Sequence, residues 1–353
     1  MVGLVLRKEV LQMRIYVPDM ELVGTLKFAH DIFEKVPNDE VVFDFSQMCN
    51  FDPLPMLIMG ATMRNYRMQY PETPFRIDGC EGKSYAGTMG FFKYVSNSLG
   101  IGKMPGEANG SANYIPITPI KVDELQQAEI SQGNYMVVGD LIEKEAGRLA
   151  RIVDRGNKEL HKLLTYLIRE ILRNTPEHAG TNTMWVCGQY WPSFELAEIA
   201  IADEGIGIYN SITRNHAHKE YITDNEKALQ WALKAGISEA FRPSMKQKSS
   251  DEWANSGFGL YMVNEICKHL NGSFCIISYG NYMLIDNHGI KYGVTNFRGT
   301  AIRMRVPSKK ISNAQTIISQ IATQGELEAK TIRNAFKNAS MPSKGLMSEL
   351  NIE

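Results

Sequence analysis

Glu170 and Asn174 stand four residues apart in HKLLTYLIREILRNTPEHAG. On a helical projection of about 100° per residue, Leu164, Leu167, Ile168 and Ile171 form an apolar face, with Glu170 and Asn174 together at its edge. Polar groups at such an edge cost on the order of 1–3 kcal/mol each when buried unpaired. A bound ligand or metal offsets that cost; a solvated shoulder of the helix avoids it. In IAIADEGIG an apolar run, Ile199 to Ala202, ends on Asp203 and turns through Gly205 and Gly207. A buried strand would fix the carboxylate, and the glycines would let the backbone approach a ligand, although a plain tight turn has the same pattern. Gly257-Phe258-Gly259-Leu260 opens an amphipathic helix carrying Met262, Val263, Ile266, Cys267 and Leu270. A glycine-rich helix N-terminus offers bare N–H groups suited to phosphate. Gly299-Thr300 lies in a last strand, before the alternating Ile302, Met304 and Val306.

The elements that must position these residues fall into two α/β blocks. In residues 1–100, Leu11 to Val17 alternates as a strand, Met20 to Val36 has helical spacing, and Val41 to Phe45 reads as a strand buried on both faces. A Met-rich helix over Pro55 to Tyr70, a strand over Pro74 to Asp78 and a helix over Ser84 to Val95 follow. That alternation predicts a mostly parallel sheet. Residues 101–113, rich in Gly, Pro, Asn and Ser, read as an interdomain linker. The second block spans 114–308: helix over Leu141 to Glu177, a long polar cover over Tyr209 to Asn255, strands over Phe274 to Tyr279 and Phe297 to Pro307, and a turn at Asn287-His288-Gly289. Residues 309–353 form a helical tail whose Ile311, Ile317, Ile318 and Ile321 suit either the chain's own core or a dimer or partner helix.

Taken in order, the four stretches resemble the GHKL ATPase superfamily, with its Bergerat nucleotide fold, over about Leu141 to Pro307. Glu170-x-x-x-Asn174 matches the N box, and Asp203-x-Gly205-x-Gly207 the first glycine box. Gly257-Phe258-Gly259-Leu260 matches the second, and Gly299-Thr300 the third. The resemblance implies ATP and Mg2+ as ligands in an α/β sandwich, a mixed sheet covered by helices. Asn174 would be the magnesium ligand and Glu170 the general base that orients water toward the γ-phosphate. Asp203 would accept a hydrogen bond from the adenine amino group, assisted by Thr300. Gly205 and Gly207 would let adenine lie close. Gly257, Phe258, Gly259 and Leu260 would belong to the phosphate cradle.

Residues 1–100, with VVFDFSQMCNFDPLPMLIMG, resemble STAS domains, which implies a protein partner for that block. Asp52 is followed by Pro53, Leu54 and Pro55, so no hydroxyl stands where phosphorylatable members carry one, and Ser46 is out of register. His178, four after Asn174, is similar to the N box of anti-sigma-factor serine kinases, although Pro176 should end the helix. Three activities remain open: ATP hydrolysis, serine/threonine phosphorylation, and nucleotide-responsive binding without turnover. No His-Glu-x-x-x-Pro phosphoacceptor motif surrounds His161, so a two-component sensor is not expected.

Composition sets the outer bounds. The 353 residues are 44% hydrophobic and 22% charged, enough for two domains with a sizeable core. Lys plus Arg number 38 against 39 for Asp plus Glu, which argues against recognition of nucleic acid or membrane by bulk charge. Five scattered cysteines without a Cys-x-x-Cys pair read as free thiols rather than a zinc site. No window reaches the ~18 apolar residues of a membrane span, and MVGLVLRKEV is too short an apolar start for a signal peptide. A cytoplasmic protein is the expectation.

Overall fold

The computed structural model describes residues 11–99, 101–174, 183–239 and 256–345. Pro176, His178 and the second half of the expected cover lie outside these residues. The chain is a mixed α/β protein with two sheets. The first is three-stranded and parallel, ordered β1 (Gln12–Tyr16), β2 (Glu40–Asp44), β3 (Phe75–Asp78). Between its strands run α1 (Leu22–Asp31) and α2 (Pro53–Gln69). After β3, the expected single helix is split into α3 (Ser84–Thr88) and α4 (Phe91–Val95). Gly90, at φ +84°, breaks it in the left-handed conformation that glycine adopts without strain.

The 101–113 segment holds no helix or strand but is pinned at several points. Lys103 N–H donates to Gly87 O, and Gly106 N–H to Ile117 O. It leads into β4 (Tyr114–Lys121), α5 (Val122–Ser131), α6 (Val138–Val153) and α7 (Lys158–Asn174). Then come β5 (Thr183–Trp191), β6 (Leu196–Asp203), α8 (Gly207–Ile212), α9 (His216–Lys219) and α10 (Asn225–Ala232). The chain ends through α11 (Gly259–His269), β7 (Ser273–Ser278), β8 (Asn281–Asp286), β9 (Gly289–Val294), β10 (Thr300–Pro307) and α12 (Ala314–Thr331). The polar stretch after Tyr209 is therefore built of short helices as far as Ala232, with Ala228, Leu229 and Ala232 in the core.

The second sheet runs β4-β5-β6-β10-β7-β8-β9. Every pairing in it is antiparallel, so the expectation of a mixed sheet is corrected. Hydrophobic patterning reports burial but not strand direction. Here direction is set by the connections: β7, β8 and β9 are joined by two tight turns that can only make antiparallel neighbours.

Alternate residues of β6 enter different cores. Ile199 and Ile201 face α7 and α11, whereas Ala200 and Ala202 face the N-terminal block. The small side chains on that second face let α2 lie close to the sheet. This explains why α2 is buried almost all round, from Pro53 to Met63. It is covered by α1, α4 and the aromatic side chains of β2 and β3 on one side and by β5, β6 and β10 on the other. The tail stripe of Ile311, Ile317, Ile318 and Ile321 is buried, and α12 packs on α7 and α11 of the same chain. Among the described residues no helix is long and apolar enough to cross a membrane. The five cysteines are free; Cys187, Cys267 and Cys275 are buried and Cys49 is exposed.

One ionic cluster ties the two blocks together. Glu198 on β6 is 0% exposed and faces α2. It takes the Arg305 guanidinium and the backbone N–H of Leu54 at 3.3 Å, while Arg305 also reaches Asp52 at 2.8 Å. Burial pushes the Asp52 carboxyl up, and neighbouring Glu198 adds to that effect, against the pull of Arg305. Asp52 and Glu198 share one guanidinium, that of Arg305. Removing that cation should strand Glu198 uncompensated. Arg305→Ala should cost about 3–5 kcal/mol in urea unfolding, and the Glu198→Leu/Arg305→Leu double variant should recover much of that loss.

Candidate functional site

Glu170 and Asn174 belong to α7, whose Leu160, Leu163, Leu164, Leu167 and Ile168 are buried against the sheet and α6. Asn174 is the last residue of the helix. Its Nδ2 is buried and has no hydrogen-bond partner among the described residues. Asp203 is the last residue of β6, and Thr300, the first of β10, is its direct cross-strand partner. Gly299 must approach Asp203 closely: a Cβ there would stand 2.1 Å from the Asp203 carbonyl oxygen, and its φ is +101°. Gly207 has φ +75°, and a Cβ there would meet the Tyr279 ring at 2.3 Å. Ser278 Oγ accepts the Ile208 N–H at 2.9 Å, which anchors the start of α8.

These segments converge on one pocket. Asn174, Asp203, Gly207, Gly257, Gly259, Leu260 and Thr300 all line it. Its walls are apolar and isoleucine-rich, with Ile171, Ile201, Ile208, Ile212, Ile237 and Ile302. The enclosed space is about 90 Å³, the scale of a planar ring system rather than a whole nucleotide. A phosphate chain would have to extend outward past Asn174 and Gly257.

Three of the expected residues sit beside the pocket rather than on it. Gly205 donates its N–H to Asp203 Oδ1 at 2.8 Å and so orients the carboxylate. Phe258 is 0% exposed and packs in the core against Tyr261. Glu170 is 3% exposed and belongs to a buried ionic cluster. Its Oε1 accepts from Arg169 Nη2 at 2.7 Å and Nε at 3.2 Å. Arg169 also binds Glu143 Oε2 at 3.1 Å and the Pro342 carbonyl at 2.6 Å. Burial lowers the Arg169 guanidinium, but Glu170 and Glu143 outweigh it and raise the group above its ordinary value. The other Glu170 oxygen, Oε2, lies 3.0 Å from where a Gly259 Cβ would stand. The end of α7 and the start of α11 therefore meet at a point where only glycine fits without displacement.

Arg169, Glu143 and Pro342 escape a motif search because they come from α7, α6 and the tail, with no common spacing. Ser211 and Glu239 also line the pocket, with Ser211 Oγ donating to Glu239 Oε2 at 2.9 Å. They lie in the polar stretch where sequence periodicity is weak.

Asp203 is the carboxylate with the strongest handle on pH. It is 7% exposed. Burial pushes its carboxyl up to about 6, against the pull of the Gly205 and Thr300 N–H groups, with nearby Glu204 adding to the rise. Among the described residues no group of three His, Cys, Asp or Glu is placed to hold a metal ion. A magnesium ion here would take the Asn174 side-chain oxygen together with phosphate and water oxygens, the usual coordination of this ion. The unpartnered atom of that amide is Nδ2, a donor, which suits a phosphate oxygen beside the ion rather than the ion itself. Compared with known proteins, the chain matches no family model and no curated protein.

The raised Asp203 carboxyl makes stability depend on pH with a definite sign. Between its ordinary value of 3.8 and about 6 the folded protein holds a proton that the unfolded chain has lost. Stability contributed by the neutral acid is therefore lost as pH rises through that window. Asp203→Asn keeps an acceptor for Gly205 and does not ionise. Its advantage over wild type in chemical unfolding should grow by about 3 kcal/mol from pH 4 to pH 7, then stay flat.

Proposed function

We propose that the chain is an ATP-binding protein of the Bergerat type, with adenine in the isoleucine-walled pocket against Asp203 and Thr300. The phosphates would lie toward Asn174, Gly257 and Gly259. The observation that carries this reading is the meeting of four sequence-distant segments at one pocket, with a buried carboxylate on its apolar floor. An adenine amino group would satisfy that carboxylate, which would otherwise be desolvated for nothing. Magnesium, bound through Asn174 and the phosphates, would neutralise charge on the polyphosphate. Glu170 would take a proton from water as the water attacks the γ-phosphate, giving ADP and phosphate. The N-terminal layer, clamped to β6 and β10, would carry the nucleotide state to a protein partner.

The Arg169 contacts favour a second reading, in which nucleotide is sensed without turnover. Glu170 is off the pocket surface, and one of its oxygens is engaged by Arg169. The two readings differ in phosphate release. If Glu170 is the base, Glu170→Gln should bind MgATP as wild type does while hydrolysis falls roughly 10²–10⁴-fold. Equal phosphate release by both proteins would remove Glu170 from that role, and none from either would leave the sensing module.

Binding has its own pH signature. An amino group donates to ionised Asp203, so ATP should lower the carboxyl's pKa and release a proton near pH 6. Calorimetry in buffers of different ionisation heat should detect that proton with wild type and not with Asp203→Asn. Affinity should fall as pH drops below 6. An affinity flat from pH 5 to 8, with no proton released, would place adenine elsewhere.

A further inference from the structure

A second cavity, larger than the pocket at Asp203, lies elsewhere on the molecule. A cleft of about 1090 Å³ lies on the opposite face of the second sheet, between the C-terminal half of α2, α4 and the β4–β5 edge. Its charge is one-sided. Arg64, Arg67, Lys93 and Lys121 line it, and Glu204 is the one carboxylate among its lining residues. The whole chain is near neutral, with 38 basic against 39 acidic side chains, so this is a local concentration.

Two of the cations have no acid to neutralise them. Arg67 forms no ion pair among the described residues, its Nε is buried without an acceptor, and burial lowers the guanidinium. Lys93 donates to the Asn97 carbonyl at 3.0 Å, and no carboxylate partners it among the described residues. Lys121 is paired with Glu124 at 2.6 Å on the outside of the cleft. Arg64 is paired with Glu204 and stacks over Tyr94, 4.5 Å from the ring centroid, with Trp185 at 5.8 Å. Tyr70, Phe75 and Trp185 add further aromatic wall. Cationic forks beside aromatic faces bind phosphate and stack planar rings.

We propose that this cleft is a second ligand site, for a nucleotide-sized anion whose phosphate meets Arg67 and Lys93 and whose base lies against the aromatic wall. The site stands independently of ATP binding at Asp203. Its position gives it a route to that pocket, because Glu204 follows Asp203 directly. Asp203 closes β6 and Glu204 begins the turn after it, and the two neighbouring carboxylates line the two different cavities. An anion that draws Arg64 away from Glu204 acts on the residue next to the floor of the first pocket.

GMP is the probe that separates the two cavities. Its guanine edge presents a carbonyl where adenine presents an amino group, so the Asp203 carboxylate disfavours it. Trp185 on the cleft wall is the reporter. GMP should quench wild-type fluorescence saturably, and Trp185→Phe should lose the signal while calorimetric heat remains. Arg67→Ala and Lys93→Ala should each weaken binding roughly tenfold or more, Arg67→Lys less so. Glu204→Gln, which frees Arg64, should tighten it severalfold. Asn174→Ala, in the other pocket, should leave it unchanged, and ribose 5-phosphate should bind more weakly than GMP. Melting curves identify any variant that fails to fold. Absence of saturable quenching in wild type would overturn the proposal. So would affinity insensitive to both Arg67→Ala and Lys93→Ala, loss of binding in Asn174→Ala, or capture of an acidic peptide in preference to GMP.

Discussion

Strand β6 has core on both of its faces, and the rest of the molecule is arranged to satisfy it. A strand covered on one side needs only every second residue to be apolar; β6 needs both sets. Ile199 and Ile201 are large and fill the space beneath α7 and α11, while Ala200 and Ala202 are small and admit α2. The N-terminal layer is thus a required cover for the back of the second sheet. Without it, Ala200, Ala202, Cys275 and Ile277 would face water along with much of α2.

That burial makes the charges on the shared face informative. Glu198 lies on the same face as the alanines and is fully enclosed. Such a group persists only when a cation is fixed beside it, and Arg305 and the start of α2 supply that surrounding. Just past the end of the strand, Glu204 reaches Arg64 near the other end of the same helix. Helix α2 is held to β6 by ionic contacts near both ends and by apolar contact between them. Any ligand that repositions β6 will be felt along α2, and the converse follows by linkage.

The tail contributes to the same centre from a different direction. After α12 the chain returns so that Ser343 O accepts from the Tyr166 hydroxyl at 2.8 Å and Pro342 O accepts from Arg169. Phe336 N–H donates to Gly236 O at 2.9 Å, and Ser340 N–H to Ser256 Oγ at 3.1 Å. Residues 332–345 therefore bridge α7 and the chain on both sides of the polar stretch. A buried arginine shared by two carboxylates and a carbonyl has little freedom, so Glu170 is held in one orientation by contacts from outside its own helix.

Much of the scaffold was legible in the sequence. The 3.6-residue period of α7 and α11, the apolar run of β6 and the glycines at 207, 257 and 299 are local properties, set by side-chain spacing and by φ/ψ sterics. They placed Asp203 at the end of its strand, whereas the helix expected to run to Glu177 is described as far as Asn174, and the strand expected from Phe297 begins at Thr300. Strand direction in the second sheet was not legible, since alternation reports which face is buried and says nothing of the neighbour's sense. Nor were β5, whose run Thr183–Trp191 lacks a clean apolar–polar alternation, or the fate of Phe258, an aromatic in a glycine-rich loop that proved to be core. The clamp on Glu170 and the basic cleft were invisible for a deeper reason. Arg169, Glu143 and Pro342 are brought together by packing, as are Arg64, Lys93 and Trp185, and charge pairing across a fold follows distance in space. Sequence fixes what each element can bury; which charges then face one another is decided only when the elements are stacked.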